Sequence, residues 1–248
     1  GGITRRAGLN YIGTARGGGQ LIGFEFNTAQ TYLLVITDGK IDIYAGGVLD
    51  ESIDSPWEED QIAQLAWTQS ADTLLLVHPD VPPHRLTRIA DGSWSLTQWE
   101  FYEDDDGIKR QPMFKFAASS VSLTPSGTSG TITLTASSAV FAEGHENTRL
   151  HVGGKEVLIT DFDSATVVTA NVLETLSGTS ATIDWAEQAF SPVRGYPSTV
   201  AFHQDRLVIG GSRDLPNRLW FSKSGDLFNF DLGEGLDDES IEFAILSD

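Results

Sequence analysis

The residues best equipped for chemistry lie in the stretch AFHQDRLVIGG, Ala201 to Gly211, where His203, Asp205 and Arg206 stand almost side by side ahead of an apolar run and two glycines. A histidine beside a carboxylate is the raw material of general acid–base catalysis, provided both reach one proton and a nucleophile or substrate pocket lies within hydrogen-bond distance. Alternation along a strand lets His203 and Asp205 share a face while Arg206 points away. No serine in a Gly-x-Ser-x-Gly elbow accompanies them. The pattern therefore favours a structural corner. His203, Gln204 and Asp205 turn the chain between two strands, and Arg206 opens the inner strand, paired with a carboxylate or with backbone carbonyls. Gly210 and Gly211 allow close backbone approach at its far end.

Other clusters invite chemistry less strongly. YEDDDGIKR places Asp104, Asp105 and Asp106 in succession, whereas a calcium loop spaces its carboxylates and closes with a distant Glu. A solvated acidic loop is expected there, and equally at DLGEGLDDES with Glu234, Asp237, Asp238 and Glu239. Glycoside hydrolysis needs two carboxyls roughly 5 to 9.5 Å apart, and no pair among the 35 acidic residues is marked out. Trp94, Trp99 and Trp185 are able to stack on sugars, but β-cores need aromatics too. The five histidines, His78, His84, His145, His151 and His203, are scattered. His78 and His84 frame a Pro-rich turn at no zinc-like spacing. GTARGGGQ, Gly13 to Gln20, lacks the Gly-Lys-Ser/Thr ending of a phosphate cradle and reads as a flexible loop. Arg5 and Arg6 form a basic pair suited to an acidic neighbouring subunit. No catalytic, cofactor-binding or metal-ligating residue is assigned, and no cofactor is expected.

What positions these groups follows from composition and pattern. The chain has 248 residues and 16 basic against 35 acidic side chains, a net charge of −19. That balance argues against a surface that grips nucleic-acid phosphates. With no cysteine there is no disulfide frame, thiolate metal site or cysteine nucleophile. No apolar run approaches the ~18 residues of a membrane span, so no membrane insertion is expected. The first residues lack a secretory leader's pattern. The absent initiator Met and the strand-like ending IEFAILSD read as the cut ends of a longer chain.

Helical periodicity is weak and confined to Glu58–Thr68. Elsewhere, short runs rich in β-branched and aromatic residues are punctuated by Gly-containing turns. TYLLVITDGKIDIYAGG is a hairpin by its chemistry, with Asp38-Gly39 at the turn. Three segments share a plan: Leu21 to Gly47, Ile62 to Trp99 and Ser198 to Phe230. Each opens with an aromatic-bearing strand at Phe24, Trp67 or Phe202. A strongly apolar strand and then a third strand follow, and in the last two segments a turn at Gly92 or Gly225 leads to a fourth. Three to four strands in roughly 40 residues is the period of a β-propeller blade. Between Pro112 and Pro192 the composition shifts to Ser, Thr and Gly, with strand alternation but no blade pattern. The expected fold is all-β: a partial β-propeller over residues 1–111 and 193–248, with a small β-sandwich or barrel inserted at 112–192.

Three stretches carry a resemblance. They are GGITRRAGLNYIG, WTQSADTLLLVHPDVPPHRLTR and RGYPSTVAFHQDRLVIGGSRDLPNRLWFSKSGDLFNF. On these the sequence resembles the tail tubular protein B, or tail nozzle, family of short-tailed bacteriophages and prophages. The resemblance covers most of the chain, and the inserted interval matches only in style. It implies a non-enzymatic, propeller-based virion subunit that assembles as a homo-oligomeric ring, a hexamer in the full-length protein. The ring would lie below the portal and adaptor proteins, with DNA passing through its channel without sequence-specific binding. The implied location is the host cytoplasm during assembly and then the virion tail. The alternative reading, from another class, is a carbohydrate-binding or glycan-hydrolysing tail-associated protein acting on the bacterial envelope.

Overall fold

The computed structural model describes Gly8 and residues 10–245. Arg5 and Arg6 lie outside the described residues. The protein is all-β, built from antiparallel sheets of which none is closed.

The first sheet contains β1 (Gly19–Asn27), β2 (Gln30–Thr37), β3 (Lys40–Ala45) and β4 (Val48–Asp54), adjacent in chain order. The hairpin turn falls where Asp38-Gly39 predicts it. Thr37 pairs with Lys40, and Gly39 carries the positive φ. Ile22, Phe24, Leu34, Ile36, Ile41 and Ile43 are buried to 1% exposure or less. Within Gly13–Gln20, residues 13–18 form a loop as expected, while Gly19 and Gln20 already belong to β1, and Arg16 of the loop is held by Asp42 of β3 through two hydrogen bonds of 2.9 and 3.0 Å. Burial pushes the Asp42 carboxyl up, but Arg16, Ser52 and Lys40 together outweigh it and hold the group below the usual carboxylate range.

The second sheet contains β5 (Ala66–Ser70), β6 (Thr73–His78), β7 (Val81–Ala90) and β8 (Ser93–Gln98), again in chain order. The helical signal at 58–68 is realised only as a 3-10 turn at Ile62–Gln64. A helix this short does not recover its nucleation cost, whereas β5 gains a sheet partner at once.

The interval after Pro112 forms a seven-stranded sheet from β9 (Met113–Phe114), β10 (Leu123–Pro125), β11 (Thr131–Ala136), β12 (Arg149–Val152), β13 (Lys155–Ser164), β14 (Val167–Val172) and β15 (Trp185–Gln188). Its order is β10-β11-β14-β13-β12-β15-β9. The expected sandwich or barrel thus takes the form of one open sheet. Leu123, Leu134, Leu150, Val157, Val168 and Trp185, from six of the strands, meet in one apolar cluster. A bridge between Leu123 and Thr182 draws the β10 edge towards the segment that precedes β15. Lys115 caps this core. Its ammonium donates to the Val121 and Ser119 carbonyls at 3.0 and 3.3 Å and lies 5.2 Å from the Trp185 ring.

The last sheet contains β16 (Thr199–His203), β17 (Arg206–Gly210), β18 (Arg218–Phe221) and β19 (Ile241–Ala244), in chain order. The turn at Gly225 leads not directly to a fourth strand but into the loop ahead of β19. The backbones of β17 and β18 approach so closely that a β-carbon at Gly210 would overlap the Arg218 carbonyl oxygen. Gly210→Ala is expected to cost about 1–3 kcal/mol, measured as a lower urea midpoint.

By compactness the chain divides into two units. One is built on the chain up to Leu65 with Gln69–Leu75 and Arg85–Thr97. The other is built on Ala66–Thr68, Leu76–His84 and everything from Gln98 onward.

Candidate functional site

The corner at His203 is structural in its geometry. His203 ends β16 and pairs with Arg206 at the start of β17, so the turn itself is Gln204-Asp205. Both residues carry positive φ, 48° and 58°. This is the twist a two-residue hairpin turn requires, adopted here without glycine. His203 and Asp205 are exposed, whereas Arg206 is buried. The Arg206 guanidinium donates to three backbone carbonyls, Ser222 at 2.6 Å, Glu239 at 2.5 Å and Asp237 at 2.5 Å. Of the two partners expected for it, carbonyls are the ones it finds.

Arg206 thereby ties down the acidic loop ahead of β19. Within that loop the Glu239 carboxylate accepts the backbone N–H groups of Glu234 and Leu236 at 2.7 and 2.9 Å. These bonds, Leu236 foremost, hold its carboxyl below the usual range. Glu239 is therefore committed to folding its own loop, while Glu234, Asp237 and Asp238 face solvent.

The Asp104–Asp106 run resolves in the same way. Asp104 turns back to accept the N–H groups of Asp106 and Ile108 at 3.1 and 3.0 Å and pairs with Arg110 at 2.8 Å. The Ile108 N–H is the largest influence holding its carboxyl down. Asp105 and Asp106 are exposed. Among the described residues, no group of three or more His, Cys, Asp or Glu is placed to hold a metal ion.

The histidines are dispersed. His78 accepts the Asp80 N–H, His84 lies 2.6 Å from the Pro82 carbonyl, and His151 stands on β12. His145 takes the Ala142 N–H on Nδ1 at 2.9 Å, which leaves the Nε2 proton to be donated to Glu187 at 3.0 Å. Trp94, Trp99 and Trp185 are 6%, 6% and 4% exposed. Their rings are committed to cores rather than presented for stacking on a sugar.

Sequence reasoning missed two buried carboxylates. Glu187 on β15, 2% exposed, receives Nε and Nη2 of Arg194 at 3.1 and 2.7 Å in addition to His145. Glu156 on β13, fully buried, is held by Arg149 at 2.7 Å and by the Lys109 N–H at 3.1 Å. Burial is the dominant influence on Glu156 and raises its pKa in spite of Arg149. Each carboxylate is neutralised by its own arginine, the arrangement of a structural pair rather than of an acid poised to transfer a proton.

The same neutralisation extends across the molecule. Among the described residues, Arg85 and Lys223 are the cations that meet neither a carboxylate at ion-pair distance nor a set of backbone carbonyls. Most of the described positive charge is thus paired within the chain, and the excess charge is acidic.

The pKa shifts define an acid response. Burial holds His84 and His151 below the ordinary histidine value. An unfolded chain takes up those protons near pH 6.5, so on acidification it binds more protons than the folded one. Stability present above about pH 6.5 is therefore expected to fall as pH drops towards the folded-state values. Glu156, with its raised pKa, opposes this at lower pH because its folded form takes its proton first. Urea midpoints measured between pH 8 and 5 should decline in the native protein, and the decline should flatten in His84→Asn and His151→Gln.

No protein-family profile matches the chain, and no curated protein matches it.

Proposed function

We propose that this chain is part of a structural, non-enzymatic subunit of a short-tailed phage or prophage tail nozzle, built on propeller blades and assembled as a ring around a DNA passage. The observation that carries this reading is the repeated plan: three four-stranded antiparallel sheets, each with its strands adjacent in chain order, interrupted by a seven-stranded sheet of different order. That is the architecture expected of consecutive blades with an inserted domain. The pairing of nearly every described cation supports the same reading. A wall whose positive charges are already bound to its own carboxylates and carbonyls has little to offer DNA phosphates, and a duplex passes it without adsorbing.

In a closed ring one interface repeats around the axis, and the portal and adaptor proteins are the neighbours this reading implies. Light scattering with negative-stain imaging of the same peak tests it. Rings with a central hole are the expected result. A monomer at every salt concentration overturns it.

A further inference from the structure

We infer that a cleft of about 230 Å³ in the second unit binds a single neutral sugar ring. At roughly 30 Å³ per water it holds the equivalent of about eight waters, the scale of one pyranose. Apolar walls come from Phe101, Phe190, Pro82 and Pro83, and the polar lining is dominated by uncharged side chains, Gln98, Gln111, Asn147, Gln188 and Tyr196.

The partners of these groups point to the ligand. The lining cations are already matched, Lys109 to Glu100 at 3.2 Å and Arg149 to Glu156 at 2.7 Å. An added charged ligand would therefore find no counter-charge to spare. Trp99, 6% exposed, also lines the cleft and packs its ring edge-on against Phe228, centroids 5.7 Å apart. Four lining amides, Gln98, Gln111, Asn147 and Gln188, and the Tyr196 hydroxyl both donate and accept, which suits a molecule whose hydroxyls do the same. Phe101 and Tyr196, half-buried, are the aromatic surfaces left to meet a sugar's C–H face.

The cleft is built for recognition and not for bond cleavage. Glu100 is its sole lining carboxylate, where glycoside hydrolysis requires two. This inference does not depend on ring assembly, since every lining residue belongs to one chain.

Saturation-transfer NMR and titration calorimetry on the intact protein test it, with methyl α-glucopyranoside and N-acetylglucosamine as neutral probes and glucuronate as the charged one. Saturable millimolar binding of a neutral probe is expected, with glucuronate weaker. Tyr196→Phe and Gln111→Ala should each weaken it about tenfold, the loss of one good hydrogen bond. Gln98→Ala, at an exposed position, supplies a variant that removes no buried packing if either of those fails to fold, and it should weaken binding in the same direction. No saturable binding of either neutral probe, binding unchanged in the folded variants, or preference for glucuronate would each overturn the inference.

Discussion

Replacing Arg194 with methionine is expected to lower stability by about 3–5 kcal/mol, read as a fall in the urea midpoint at neutral pH. Methionine keeps much of the packing of the arginine stem, which lies with its guanidinium 4.2 Å from the Phe116 ring centroid. What it removes is the double hydrogen bond to Glu187, leaving a carboxylate that is 2% exposed with His145 as its remaining side-chain partner. The cost is that of a buried charge without its counter-ion, not the net worth of the pair. One consequence separates these. Glu187→Gln combined with Arg194→Met should be markedly less destabilising than the two single losses added together. A loss below about 1 kcal/mol at pH 7 would show that water or a neighbouring group replaces the arginine at no great cost.

Arg206→Ala is the second large effect, expected at about 3–4 kcal/mol from two to three charge-assisted hydrogen bonds of ~1.5 kcal/mol each. Its three acceptors, on Ser222, Asp237 and Glu239, are main-chain carbonyls on separate parts of the last sheet and its loop. The loss should therefore be regional. Hydrogen exchange should accelerate at Leu236 to Ser240 more than in β2 or β6. Arg206→Lys should recover only part of the stability, because a compact ammonium cannot span acceptors that a planar guanidinium reaches at once. Full recovery by lysine would mean that charge, and not the fork of donors, is what the site needs.

These two arginines show what was legible in the sequence. Arg206 was readable because its surroundings are local. Alternation placed it at the head of an apolar strand, the polar tripeptide before it marked a turn, and carbonyls were among the partners a buried guanidinium would seek. The first three strands of each four-stranded sheet were readable for the same reason, since a hairpin's register is fixed within a dozen residues, whereas β4 and the place of β19, reached through a long loop, were not. Arg194 was not readable. Its value comes from Glu187 lying on β15, whose neighbours β12 and β9 come from distant parts of the chain. Strand order in the seven-stranded sheet is a long-range choice that alternation does not encode. Glu156 was hidden likewise, because strand patterning alone places a glutamate on a face without saying that segment 107–109 will close over it. The tryptophans carried an ambiguous signal, as apolar mass suits a core and a sugar platform equally, and burial decides for the core.

The seven-stranded sheet holds a consequence for the history of the chain. Its first strand, β9, pairs with its last, β15, so that Met113 lies opposite Gln188 and Phe114 opposite Glu187. The points where the polypeptide leaves and rejoins its flanking sheets are thus one strand spacing apart, about 4.8 Å. To the rest of the fold, everything between them is geometrically equivalent to a short turn. A segment attached in this way can be exchanged by recombination with the ends of its host left in place, provided the ties from Lys109 to Glu156 and from Arg194 to Glu187 are replaced.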